Sequence, residues 1–125
     1  MKIPSHYNRL MPYLIIPTAY KFIEFMKNVF GATEQVIVPR SEGVIMHGEL
    51  RIDEAVIMFA DATDAITTKP AGIFIYMNNV DEIYSKALAA GATSLMKPTR
   101  QEYGYTCGFH DPCGNDWWPV EPPNE

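Results

Sequence analysis

The sequence predicts an α+β fold of two βαβββ modules, residues 11–61 and 71–121, each a curved mixed sheet carrying its helix on the convex face. Three observations predict it. At an offset of sixty, Phe30-Gly31-Ala32-Thr33 meets Ala90-Gly91-Ala92-Thr93, Ile23 meets Ile83, Gly48 meets Gly108, and Asp61 meets Glu121. Each half carries one helical apolar stripe closed by a glycine, Gly31 or Gly91. Each stripe is followed by three extended segments. A repeat of this period marks two copies of one supersecondary unit, neither able to bury its apolar face alone. The two sheets are expected to close into a cupped, partial barrel, with a shared site between the copies.

The elements follow in chain order. Residues 11–16 are apolar and end at Pro17, which suits a strand leading into a helix. Thr18 is the expected N-cap, and residues 19–30 place Ala19, Phe22, Ile23, Met26, Val29 and Phe30 on one stripe. Strands are expected at 34–38, 44–52 and 55–60, with Asp53-Glu54 as a tight hairpin turn. In the second copy, residues 73–77 form the strand and Asn79 the cap. Val80, Ile83, Tyr84, Ala87 and Leu88 form the stripe. Strands at 94–97, 103–109 and 116–120 complete it. Asp111, Pro112 and Gly114 occupy positions i, i+1 and i+3 of a type I turn. Residues 62–72 lack periodicity and join the copies, and the tail 122–125 is expected to fray.

Composition narrows the function classes. A chain of 125 residues, 47% apolar, supports one domain with a real core. Its formal charge of −5, without any basic run, argues against a nucleic-acid partner. No apolar run is long enough to span a membrane, and the start Met1-Lys2-Ile3-Pro4 lacks a signal-peptide pattern. Two cysteines, Cys107 and Cys113, do not make a disulfide framework, so the chain reads as cytoplasmic.

The paired βαβββ units, the Gly-Ala after each helix and the Asp111-Pro112-Cys113-Gly114-Asn115 turn before the last strand together resemble one superfamily. It is the glyoxalase/bleomycin-resistance/extradiol-dioxygenase group, the vicinal oxygen chelate proteins. Tyr13, Phe25, Val29-Phe30-Gly31-Ala32 and Ile45-Met46-His47-Gly48-Glu49-Leu50 look closest to a small bacterial glyoxalase-like subgroup. The resemblance covers nearly the whole chain, as a single domain. It implies the fold; it does not choose among isomerases, dioxygenases, thiol transferases and drug-sequestering proteins.

The resemblance also implies one divalent metal with four ligands, from the first and last strand of each copy. Those slots fall on Met11 or Pro12, Met58, Ala71 or Gly72, and Trp118. None supplies the His, Glu, Asp or Cys such an ion needs, so neither metal nor other cofactor is expected. Asp61 and Glu121 stand three positions beyond the last-strand slots, on the opposite face.

Strand alternation then proposes the lining of the cavity. Val44, Met46, Leu50 and Ile52 are expected toward the helix, and Ile45, His47, Glu49 and Arg51 toward the concave side. Symmetry adds Tyr105, Cys107 and Phe109; alternation adds Phe74 and Tyr76; the slots add Met58 and Trp118. A lining of aromatics with one imidazole, one acid and one guanidinium suits a flat or amphipathic organic molecule.

Each residue also has a structural reading. Met58 and Trp118 would simply plug the former metal hole, and His47 would be a partly exposed strand histidine. Glu49 and Arg51 would form a solvated pair. Cys107 would be a small apolar filler, Cys113 an exposed turn residue, and Trp117 core. His110 would pack at the turn, and His6 would lie in a poorly ordered start.

The leading expectation is a metal-free binder of a small aromatic or cationic molecule. The alternative is an isomerase, lyase or dioxygenase-type enzyme using His47 as acid/base; a module with a collapsed cavity is a third possibility. A homodimer is expected, because a cupped sheet leaves an apolar rim exposed.

Overall fold

The structure is a computed structural model describing residues 1–123; the last two residues of the tail expected to fray, Asn124 and Glu125, lie outside them. The chain divides into two compact units, Met1–Lys69 and Pro70–Glu125. In the first, β1 (Tyr13–Ile16), α1 (Ala19–Phe30), β2 (Thr33–Ser41), β3 (Val44–Ile52) and β4 (Ala55–Asp61) build a sheet of order β1-β4-β3-β2. In the second, β5 (Gly72–Tyr76), α2 (Val80–Ala89), β6 (Thr93–Gln101), β7 (Gly104–His110) and β8 (Asp116–Glu121) repeat it as β5-β8-β7-β6. The first strand of each unit runs parallel to the last, and the other pairs are antiparallel. The fold is α+β, two repeated βαβββ modules.

Local chemistry explains the elements. On α1 the predicted stripe is buried against β3 and β4, with the Phe22 and Phe59 ring centroids 5.2 Å apart. The helix stops because Gly31 adopts φ 68°, letting the Gly31 and Ala32 N–H groups donate to the Lys27 and Met26 carbonyls. Strands β2 and β6 run past Pro39 and Pro98, further than expected. Both are edge strands, where a missing N–H is tolerated, and both have register shifts at the proline. The Asp111 turn closes as predicted, with Gly114 N–H donating to the Asp111 carbonyl at 3.2 Å.

Two expectations about strand faces fail. Ile45 is completely buried while Met46 is 44% exposed, the reverse of simple alternation. Val38 pairs with His47 but Pro39 with Ile45, so Met46 is an extra residue in a β-bulge and Ile45 crosses to the other face. In the second unit, Tyr105 pairs with Glu121 and Phe109 with Trp117, which sets Gly108 opposite Trp118. In the first unit, Glu49 is opposite Met58. The sixty-residue equivalence therefore slips by one on β7, and such a slip exchanges the two faces of a strand. Tyr105, Cys107 and Phe109 accordingly lie on the α2 side with the fully buried Trp117, not on the open side. The Tyr105 hydroxyl donates to Asp81 Oδ1 of α2 at 2.7 Å.

Candidate functional site

On the helix-free face of the first sheet, a hydrogen-bonded cluster surrounds Glu49. Glu49 is 2% exposed. Its carboxylate accepts from the Tyr7 hydroxyl at 2.9 and 3.0 Å, from Gln35 Nε2 at 2.9 Å, and contacts His47 Nε2 at 2.8 Å. Burial alone would raise the Glu49 pKa; the hydrogen bonds from Gln35, His47 and Tyr7 outweigh it and hold the carboxyl below its ordinary range. The same hydrogen bond, with burial and the carboxylate's charge, raises the Tyr7 phenol and keeps it a donor.

Arg51 does not pair with Glu49 as expected. Its Nε donates to Gln35 Oε1 at 3.0 Å, so the Gln35 amide bridges the two charges. Its remaining arms donate to the His6 carbonyl at 2.7 Å and the Asp53 carbonyl at 3.2 Å. The start of the chain, expected to be loose around His6, is thus tied across β3. Tyr7 also walls a cleft of about 350 Å³ shared with Ile3, Pro4 and Met11.

Beside Glu49, Met58 is the cross-strand partner of both Glu49 and Tyr13. The Tyr13 hydroxyl lies 3.4 Å from His47 Nδ1. Sequence reasoning missed Tyr7, Gln35 and Tyr13 as members of this cluster. Alternation along β1 gave a signal for Tyr13, since Leu14 and Ile16 are the buried pair. Tyr7 lies in a segment without periodicity, and Gln35 is itself the residue skipped by a register shift between Glu34 and Val36.

The second unit presents rings instead. Phe74 pairs with Trp118 across β5 and β8. Phe74 and Tyr76 are 53% and 62% exposed, their rings edge-to-face with centroids 5.1 Å apart. Trp118 is half-buried, and its indole lies across Gly108, where any Cβ would come within 2.2 Å of the ring. The unit's two thiols are both buried. Burial, then the Asp81 charge, pushes Cys107 up to about 12, which leaves a protonated, unreactive filler. Cys113 is enclosed by the Asp111 turn, not exposed as expected. His110 is exposed and bonded through Nδ1 to Asp116 Oδ1 at 2.6 Å instead of packing at the turn.

Strand pairing also corrects the slots at which the resemblance implies metal ligands. The first-strand neighbour of Met58 is Tyr13, not Met11 or Pro12; that of Trp118 is Phe74, not Ala71 or Gly72. Neither pair, the phenol and thioether of the first unit or the phenyl and indole of the second, supplies the donors a divalent cation needs. Among the described residues, no group of three or more His, Cys, Asp or Glu is placed to hold a metal ion. The residues do not fit the group.

Comparison with known proteins agrees with this architecture. An uncharacterized protein of Mycobacterium bovis, Mb0911c, is 29% identical over 128 residues, spanning 93% of this chain and 84% of that one. TioX from Micromonospora sp. ML1 superposes with a TM-score of 0.76 at 18% identity, over 94% of this chain and 100% of TioX. TnmS3, an antibiotic binding protein from Streptomyces sp. CB03234, superposes with a TM-score of 0.74 at 16% identity, over 98% and 99%. A sequence model of one family matches residues 6–118. The chain belongs to the Glyoxalase/Bleomycin resistance protein/Dioxygenase superfamily.

Proposed function

We propose that this protein binds a small aromatic or cationic organic molecule without a metal cofactor. One observation carries the reading: Phe74, Tyr76 and Trp118 occupy adjacent strand positions on the helix-free face of the second sheet, two of them more than half exposed. Stacking or cation–π contact with each ring is worth roughly 0.5–2 kcal/mol. TnmS3, an antibiotic binding protein, shows that this fold can serve as a binder. Titration with planar aromatic cations, read by thermal shift and tryptophan fluorescence, tests it. Trp118→Ala should abolish ligand-dependent stabilisation without unfolding the chain. Binding that survives this change, or one equivalent of a divalent metal found by elemental analysis and lost on altering Met58 or Trp118, would sink the reading.

One observation favours a second reading, an isomerase, lyase or dioxygenase-type enzyme with His47 as acid/base: His47 is held by a buried, ionised Glu49. A His47→Ala variant that binds without turning over a ligand would support it.

The reading includes a cytoplasmic homodimer. In the second unit Phe74, Tyr76 and Tyr103 are all at least half exposed, a surface that a second copy would reduce. Light scattering giving a mass near the 14.1 kDa of one chain would remove the dimer. No helix among the described residues is long and apolar enough to cross a membrane.

A further inference from the structure

We infer that the first unit carries a recognition site in which His47 Nδ1 accepts a hydrogen bond from the acidic O–H of a phenol or enol. The site stands on the first unit's residues alone and does not depend on the ring face of the second.

The tautomer follows from counting hydrogens. Glu49 is buried and ionised, so it can only accept. It already receives the Tyr7 hydroxyl and the Gln35 amide, and its Oε2 lies 2.8 Å from His47 Nε2. The hydrogen in that last contact must therefore sit on Nε2. This leaves the lone pair of the neutral ring on Nδ1. A carboxylate behind an imidazole fixes its orientation and strengthens its far nitrogen as an acceptor.

The ring is partly open to solvent. The His47 side chain is 27% exposed, and the Tyr13 hydroxyl lies 3.4 Å from Nδ1. That is too long for a good O–H···N bond. Tyr13 is itself 51% exposed, so a ligand hydroxyl can take its place. Met58, cross-strand neighbour of both Glu49 and Tyr13, adds a thioether side chain to this face, a surface suited to a flat ring.

The surrounding charges choose the ligand class. Arg51 is the cation of this cluster, and its three nitrogens are engaged by Gln35, Asp53 and His6. Glu49 is negative and close by. A carboxylate or phosphate would bring only acceptors to a nitrogen that is itself an acceptor, beside the negative Glu49, whereas a neutral O–H acid meets a strong acceptor.

The test uses 4-cyanophenol and its methyl ether, 4-methoxybenzonitrile, which share a ring but differ in the donor. In histidine-¹⁵N-labelled protein at a pH where the ring is neutral, His47 should show the Nε2–H tautomer. Its Nδ1 resonance should move on adding the phenol and stay in place with the ether. The phenol should bind about tenfold more tightly, the worth of one good hydrogen bond. His47→Phe should keep ether binding and lose that preference; Trp118→Ala should leave the preference intact, which separates this site from the ring face. An Nδ1–H tautomer, an Nδ1 resonance unmoved by millimolar phenol, or a preference that survives His47→Phe would each overturn the inference.

Discussion

Asp61 and Glu121, sixty residues apart, each cap the helix of their own unit from the far end of the last strand. Asp61 Oδ1 accepts from Ala19 N–H at 2.8 Å, and Glu121 Oε2 from Val80 N–H at 2.9 Å. The first N–H groups of a helix lack internal partners and carry its positive end, so a carboxylate there is doubly favourable. Asp61 also accepts from Ile45 N–H at 2.7 Å, which anchors the strand beyond the Met46 bulge. It is 8% exposed, while Glu121 is only half-buried.

Removing the two caps should therefore have unequal effects. Asp61→Ala orphans two buried N–H groups and should cost about 2–4 kcal/mol; Glu121→Ala should cost about 1 kcal/mol. Urea unfolding checks the difference. Equal losses would show that the Ile45 contact contributes nothing.

The paired glycines make a second contrast. A Cβ at Gly48 would meet the Phe59 ring at 2.4 Å, and Phe59 is completely buried between sheet and helix. Gly48→Ala should destabilise by about 1–3 kcal/mol, because that ring has nowhere to go. A Cβ at Gly108 would meet Trp118 at 2.2 Å, yet Trp118 is half-buried and can lift away. Gly108→Ala should lower stability less and shift tryptophan emission to the red. Thermal unfolding and emission spectra of the two variants decide it.

What the sequence disclosed, and what it hid, follows from the range of each signal. The stripe of α1, the glycine that ends it and the Asp111 turn are local, and the structure reproduces them. Trp117 as core and Phe74 and Tyr76 on the open face follow from alternation within single strands. The errors arise where one residue is inserted or skipped. Met46 inverts Ile45, and the one-residue slip on β7 carries Tyr105, Cys107 and Phe109 to the helix side. The capping chemistry was hidden for a different reason. Thr18 and Asn79 have the right identity and position, but the first helical N–H in each unit goes to a carboxylate more than forty residues away. The Glu49 cluster was visible only as His47, Glu49 and Arg51; the groups that complete it come from β1, β2 and the N-terminal segment.

Cys107 should resist alkylation in the folded chain. Burial and the Asp81 charge push its thiol up to about 12, so almost no thiolate exists near neutral pH. At pH 8, iodoacetamide should label it only after urea is added, as mass spectrometry would show. Rapid labelling without urea would mean that β7 opens locally.

Glu49 should make stability fall in acid. Its folded pKa lies below its ordinary 4.5, because the donors from Gln35, His47 and Tyr7 prefer the carboxylate. The unfolded chain therefore binds this proton more readily than the folded one. The sign follows: the contribution is complete above the unfolded value and lost as pH falls from there through the folded pKa. Tyr7→Phe removes one of the donors without adding charge, so it should lower stability at pH 7 and flatten the decline below pH 4.5. Denaturant midpoints measured from pH 7 down to pH 3 on both proteins test this. Parallel curves for wild type and Tyr7→Phe would show that the Tyr7 hydroxyl does not hold the proton off Glu49.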